Sequence, residues 1–462
     1  MKIKKISFTG HPILGDKKFD FTNEKGEPFD TILITGENGT GKTTLLEVIK
    51  NLGWFLHFDT YSSPENKEKY ENFIISVEYK VGKVTFFDKS GRKRKNGGYY
   101  DFTSKSKPRF YKRPELIKII NSSVGVNYYS DPYSRPKAVK DKGLDNEIKD
   151  GIKDTPKDLS NEIVDLLISI DSQDSQDYRN WAKSSQSFDE SKLHTRMHRF
   201  TEAFEIVFGE DLKLDKIVNN ITPIFTKQSG FEEIEIYNLS SGEKQIIFRG
   251  AFLLEDKNSL KGSLVLIDEP EISMHPKWQE KIFDYYKSLF IDENKQQNSQ
   301  IFMTTHSDHV LKSALVSKNT CVIITNSTKE PKIIHSNSEH SPDDFVLETL
   351  TTGEIMYQVF GLYTIDFHQA LFERMKEKFE IKGYENSDYE KLGYNDKQKI
   401  PLEWPKGKKK NKKEKVFEED FLCLYIRNYV DHPLDGRTVD CLENEYLKTS
   451  IDYMIEKIKM KK

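Results

Sequence analysis

The 462-residue sequence predicts an α/β fold: a head with a small helical insertion, followed by an α-helical C-terminal domain. Three observations carry that expectation. A β-branched run, Thr31-Ile32-Leu33-Ile34-Thr35, passes directly into a glycine-rich turn and then a helical pattern. A second apolar run, Ser263 to Ile267, ends in two adjacent carboxylates, Asp268 and Glu269. Beyond residue 327 strand-like alternation gives way to helical spacing. The expected domains are 1–327 and 328–462, with the helical insertion at about 153–210.

Along the chain, residues 2–9 and 17–21 alternate as short strands, and a helix is expected at 43–57 after the glycine turn. Residues 71–88 alternate around Val81-Gly82-Lys83, the pattern of a strand, a tight turn and a returning strand. From 89 to 157 the chain is rich in Lys, Gly, Pro, Ser and Tyr and reads as loop, with one β-like run at 124–129. Helical patterns at 158–170 and 189–208 flank a polar linker, Asp171 to Ser187, before strand signals return at 212–237. In the C-terminal region helices are expected at 342–350, 353–381, 416–431 and 442–461. The polar break at 382–415 holds a lysine cluster, Lys406 to Lys415, which reads either as a solvated loop or as a contact for nucleic-acid phosphates. No fixed-period repeat occurs, and no heptad run is long enough for an extended coiled-coil arm.

Hydrophobic residues make up 36% of the chain and aromatics 12%, enough for a buried core, while 31% charged residues imply a solvated exterior. Lys plus Arg total 71 against 74 for Asp plus Glu; a net charge of −3 predicts no nucleic-acid or membrane partner by itself. Cys321, Cys423 and Cys441 lie far apart and form no metal spacing, so lone thiols in a reducing cytoplasm are expected. The polar N-terminal segment is unlike a signal peptide, and no stretch approaches the roughly 18 apolar residues of a membrane span.

Gly36-Glu37-Asn38-Gly39-Thr40-Gly41-Lys42-Thr43 fits Gly-x4-Gly-Lys-Ser/Thr between a strand and a helix, the context that this phosphate loop requires. Its glycines let backbone N–H groups turn onto phosphates, Lys42 reaches the terminal phosphates, and Thr43 offers a hydroxyl to Mg²⁺. Asn38, Gly39, Gly41, Lys42, Thr43 and Thr44 are therefore the expected ATP contacts. Successive strand residues point opposite ways, so Asp268 can face the metal while Glu269 activates a nucleophilic water.

On these two clusters the chain resembles the ABC-type ATPases, the group that includes transporter ATPase subunits, SMC proteins and stand-alone ATPases of bacterial defence systems. Leu239-Ser240-Ser241-Gly242-Glu243 looks like the family signature, Thr304-Thr305-His306-Ser307 like the switch histidine, and Ile272-Ser273-Met274-His275-Pro276 occupies the D-loop position. The likeness runs from residue 1 to about 327. It implies a head-to-head dimer in which Ser240 and Gly242 of one subunit cover the γ-phosphate held by Lys42 of the other, with His306 sensing that phosphate. The family's usual glutamine between phosphate loop and signature has no counterpart from Thr43 through Ser172. Its expected location is just after Tyr129, where Ser130, Asp131 and Tyr133 stand.

Among relatives, the overcoming-lysogenisation-defect nucleases carry a C-terminal Toprim domain with an Asp-x-Asp pair, which is missing here after residue 327. Phe421 to Pro433 instead contains Arg427, Asn428 and His432, which resemble the Arg-polar-x3-His element of HEPN ribonucleases. Pro433 should end the helix at His432. His432 could then accept a 2′-hydroxyl proton while Arg427 stabilises phosphate charge and Asn428 orients either group. The alternative is structural: cations at a helix C-terminus meet its dipole, and Arg427 pairs with Glu418, Glu419 or Asp420. The resemblance to Septu-type and related ATPases implies an antiphage ATPase whose ATP-driven dimer, or higher oligomer, controls a C-terminal ribonuclease acting on RNA such as tRNA. Two alternatives remain open: a scaffold that restrains a separate nuclease partner, and an SMC-like DNA-repair ATPase.

Overall fold

The computed structural model describes residues 2–56, 74–79, 82–86, 100–104, 107–111, 127–130, 137–139, 156–184, 195–218, 222–227, 232–254, 263–272, 274–326, 330–335, 345–349, 351–381, 383, 422–431 and 444–460. The architecture is mixed α/β with a helical C-terminal region. The chain divides into two compact units, Met1–Ser336 and Asn337–Lys462.

The first unit is built on a seven-stranded sheet whose order is β16-β15-β3-β14-β13-β8-β9. Here β3 is Thr31–Gly36, β8 Asn127–Ser130, β9 Lys137–Val139, β13 Leu264–Ile267, β14 Gln300–Thr304, β15 Thr320–Thr325 and β16 Lys332–His335. The five strands from β15 to β8 pair in parallel, and β16 and β9 close the edges antiparallel. Every residue of β3, β13, β14 and β15 is buried, which is why these strands read as mostly apolar runs rather than alternations. All four point their C-terminal ends to one edge of the sheet.

A six-stranded antiparallel sheet has the order β2-β1-β4-β5-β6-β7, with β1 Ile3–Thr9, β2 Lys18–Asp20, β4 Ile74–Tyr79, β5 Gly82–Phe86, β6 Tyr100–Ser104 and β7 Lys107–Tyr111. The hairpin expected at 71–88 is β4 with β5. The β-like run expected at 124–129 overlaps β8; the rest of the stretch 89–157, expected to be loop, also contributes a second hairpin, β6 with β7, and the edge strand β9. Strands β10 (Leu212–Val218), β11 (Thr222–Lys227) and β12 (Glu232–Glu235) form a third, antiparallel sheet.

The polar linker expected at 171–187 is helical as far as Ser184, within one 29-residue helix, Pro156–Ser184. No Gly or Pro interrupts residues 157–184, and polarity alone does not break a helix. Asp174 on this helix binds Arg196 at 2.8 Å and accepts from the Met197 N–H at 2.9 Å, so it also fixes the start of the next helix, Arg196–Phe208. Thr195 caps that helix, and Phe200, Phe204 and Phe208 on one face are buried, with Phe204 also against Phe225 of β11. Each such ring stabilises the fold by roughly 1.5–3 kcal/mol.

In the second unit, helices Ile365–Lys378, Leu422–Asp431 and Asn444–Met460 pack on one another around Phe367, Leu371, Phe372, Ile426, Ile451 and Met454. The single helix expected at 353–381 is two, Thr352–Phe360 and Ile365–Lys378. Gly361 divides them by taking a left-handed conformation with φ 66°. Residues 345–349, expected within a helix, are irregular because the Val346 and Leu347 N–H groups bond to the Glu354 carboxylate.

Candidate functional site

Three strand ends assemble the site. The phosphate loop leaves β3, Asp268 and Glu269 leave β13, and Thr305 and His306 leave β14. Register aligns them: Ile34 lies opposite Thr304, and Met303 opposite Ile267. The Thr305 N–H donates to the Ile34 carbonyl at 3.0 Å, which extends the pairing up to His306.

The loop's path depends on two glycines. Gly36 has φ 131°, and a Cβ there would lie 2.2 Å from the Thr325 carbonyl oxygen. Gly41 has φ 94°, and its Cβ would meet Leu14 Cδ2 at 2.4 Å. Thr325 braces the loop further, its hydroxyl lying 2.6 Å from that of Thr40 and donating to the Thr35 carbonyl at 2.9 Å. Asn38 and Gly39 at the tip are exposed, Thr43 is exposed and Thr44 half-buried at the start of the helix Lys42–Leu56. Lys42 is buried, and its ammonium donates to the carbonyls of Gly36 at 2.9 Å and Glu37 at 2.8 Å. Burial lowers its pKa, while the carboxylates of Glu269, Asp268 and Glu271 oppose that shift.

Asp268 is buried, accepts from the Thr304 hydroxyl and lies 3.4 Å from the Thr43 hydroxyl. A hydroxyl and a carboxylate facing one another are hard oxygen donors, a pair that fits Mg²⁺ bound jointly with phosphate oxygens. Thr43 and Asp268 would hold that ion, which supplies charge neutralisation at the phosphates. Glu269 takes φ 43°, an uncommon conformation for a residue with a side chain, fixed by its N–H donating to Thr304 Oγ1 at 3.0 Å. That conformation turns the Glu269 carboxylate to His306, whose Nε2 lies 3.3 Å from Oε1. Burial, then the nearby Lys42 ammonium, lowers the His306 pKa, with Asp268 opposing.

Ser240 and Glu243 form a reciprocal cap on the helix Ser241–Leu254, which includes Gly242. The Ser240 N–H donates to Glu243 Oε2 at 2.6 Å, and the Glu243 N–H to Ser240 Oγ at 3.3 Å. His275 caps the helix Pro276–Ser288, its Nδ1 accepting from the Lys277 N–H at 3.2 Å. The backbone puts Ser130 at the end of β8 opposite Ile267, one residue before Asp268; Asp131 and Tyr133 lie outside the described residues.

In the C-terminal unit, Arg427 pairs with Asp431 one turn along its own helix at 2.5 Å and donates to Asn428 Oδ1 at 3.0 Å. Glu418, Glu419, Asp420, His432 and the lysine cluster at 406–415 lie outside the described residues. Sequence reasoning missed Leu14 and Thr325, which carry no motif, and Glu271, whose signal was available in the string Asp268-Glu269-Pro270-Glu271.

This fold and site define a P-loop ATPase of the AAA class. The chain belongs to the family described as "AAA domain, putative AbiEii toxin, Type IV TA system", whose model matches residues 32–312. It is 37% identical over 97 residues to "Endonuclease GajA" of Bacillus cereus (strain HuB5-5), covering 20% of this chain and 14% of that one. It is 23% identical over 370 residues to "Retron Vc95 probable ATPase" of Vibrio cholerae serotype O1 biovar El Tor, covering 64% and 69%. Over 422 residues it is 23% identical to "Septu protein PtuA" of Bacillus mycoides (strain KBAB4), covering 85% of this chain and 51% of that relative. The chain thus spans a small part of the first of these relatives, about two thirds of the second and about half of the third. Solved structures similar to it include the SMC head domain from Thermotoga maritima, 15% identical with a TM-score of 0.34, covering 72% of this chain and 99% of that one. Another is the SmcHead bound to the C-winged helix domain of ScpA, 13% identical with a TM-score of 0.40, covering 72% and 97%. Among the described residues no helix is long and apolar enough to cross a membrane.

Proposed function

We propose that the chain is an ATP-hydrolysing switch of the ABC type, acting in a prokaryotic antiphage defence system. The observation that carries this reading is the meeting of Lys42, Thr43, Asp268, Glu269 and His306 at one sheet edge. Relatives named as Septu and retron proteins support the defence setting. Lys42 is turned onto its own loop, and the His306 ring lies beside Glu269. A triphosphate would draw Lys42 to its terminal oxygens, and Glu269 would then be the base for water. The capped turn at Ser240 and Gly242 would complete the site from a second copy of the chain, so the closed dimer would report triphosphate.

Steady-state hydrolysis and size-exclusion mass measurements test this together. Lys42→Ala should abolish nucleotide binding, and Glu269→Gln should bind ATP, lose turnover and accumulate as a dimer. A Glu269→Gln variant turning over ATP at the parental rate would falsify the assignment.

The finer reading retains the C-terminal unit as the controlled ribonuclease, with Arg427, Asn428 and His432 as its reactive groups and RNA such as tRNA as substrate. The Arg427–Asp431 pair favours the structural alternative for Arg427. A role restraining a separate nuclease is the other outcome: cleavage would then require an added partner.

A further inference from the structure

The acidic string after β13 holds three carboxylates, and the three residues at the end of β14 bind one each. Thr304 takes Asp268 through its hydroxyl, and the His306 ring lies 3.3 Å from the Glu269 carboxylate. The third, Glu271, is 7% exposed, and its Oε1 accepts from both the Thr305 hydroxyl at 2.7 Å and the His306 N–H at 2.8 Å. Its backbone is held as well: the Met274 N–H donates to the Glu271 carbonyl at 3.0 Å, and the Ile272 N–H to the Glu269 carbonyl at 3.4 Å.

The contacts form a closed ring. It runs from the Glu269 carboxylate to the His306 imidazole, through the His306 main chain to Glu271, and back along two peptide bonds to Glu269. A carboxylate out of water is costly unless its donors are retained, so Glu271 resists any shift of Thr305 or His306 that would strip those donors away. Burial raises its pKa, with the Thr305 hydroxyl and the His306 N–H foremost among the groups that oppose that rise. The Tyr286 hydroxyl, on the helix Pro276–Ser288, feels both Glu271 and Arg249, and Arg249 lies on the helix that Ser240 caps.

We propose that Glu271 is a positioning residue for hydrolysis: by holding the main chain of His306 it keeps the imidazole in register with Glu269. The inference rests on the hydrolysis proposed above. In this role Glu271 acts through His306.

The test is ATP turnover of the full chain with magnesium, for the parent, Glu271→Ala, Glu271→Gln, His306→Ala and the Glu271→Ala/His306→Ala double variant. Thermal melting and binding of a fluorescent ADP are measured alongside. Glu271→Ala should lose kcat by on the order of tenfold or more while KM stays within about threefold, because binding groups are untouched. Glu271→Gln keeps an acceptor oxygen and should recover most of that loss. In the His306→Ala background the same Glu271→Ala change should cost nothing further. If Glu271→Ala does not fold, Thr305→Val removes one donor from the same oxygen, and its kcat loss must also disappear with His306→Ala.

A Glu271→Ala variant that turns over like the parent, or loses the same factor with and without His306, overturns the role. Parental turnover that ends with Glu269→Gln but ignores Glu271→Ala refutes Glu271 alone. A parent without turnover, or one whose turnover survives Glu269→Gln, refutes the hydrolysis reading and this inference with it.

Discussion

Two buried groups in the C-terminal unit should give it opposing responses to acid. His368 is fully buried with Nε2 2.8 Å from the Ser450 hydroxyl, and burial pushes its pKa down to about 3 from 6.5. Stability from keeping that ring neutral is present above pH 6.5 and is lost as pH falls toward 3. Glu354 is also buried; desolvation raises its pKa from 4.5 to about 7, although the Val346 and Leu347 N–H groups favour its charged form. Its contribution has the reverse sign, present below pH 4.5 and lost as pH rises through 7. Going from pH 7 to pH 5, linkage gives a loss of about 2 kcal/mol from His368 and a gain of about 2 kcal/mol from Glu354. From these two groups the parent should therefore change little over that range.

Hydrogen exchange of amides in Ile365–Lys378 and Asn444–Met460, corrected for intrinsic rates at each pH, reads the opening free energy of this unit. His368→Gln should make it about 2 kcal/mol more stable at pH 5 than at pH 7, and Glu354→Gln about 2 kcal/mol less stable. Parent and both variants tracing parallel pH profiles would refute the reasoning.

Three other outcomes are expected. Gly36→Ala sets a methyl group against the Thr325 carbonyl at a φ reserved for glycine, so it should cost about 3 kcal/mol or more in thermal unfolding and weaken nucleotide binding; an unchanged melting temperature refutes the close approach. Asp174→Ala takes the carboxylate from the buried Arg196, leaving it Gln173 Oε1 at 3.2 Å, and should destabilise the start of helix Arg196–Phe208 by about 3 kcal/mol, seen as faster exchange there, and parental exchange rates would contradict it. Arg427→Ala removes a same-helix ion pair worth about 0.5 kcal/mol, so the protein should stay folded and a tRNA digest isolates chemistry. Metal-independent cleavage by the parent that is lost in Arg427→Ala and His432→Ala supports the ribonuclease reading, and intact tRNA in every nucleotide state refutes it.

The parallel strands and the phosphate loop were legible because each leaves a local mark: β3 and β13 are continuous aliphatic runs, and Gly36, Gly41, Lys42 and Thr43 lie within eight residues. Boundaries decided by tertiary partners were not. Helix Pro156–Ser184 passes through a polar stretch anchored by Arg196, 22 residues beyond Asp174, and no window of sequence contains that contact. Gly361 was visible as a glycine, but a single glycine inside a helical pattern does not reveal its φ. Within the site, Asp268, Glu269 and His306 could be named from motif order. The ties of Asp268 and Glu269 to Thr304, and that of Glu271 to Thr305, needed the register of β13 on β14.

The helix Pro156–Ser184 also gives the first unit a lever. It is clamped at Asp174 through Arg196, and the ten residues beyond extend about 15 Å at the rise of an α-helix, mostly in solvent. A tilt of about 10° at the clamp would swing the tip by roughly 2.5 Å. Trp181, against Tyr178 near that tip, gives the swing an intrinsic fluorophore.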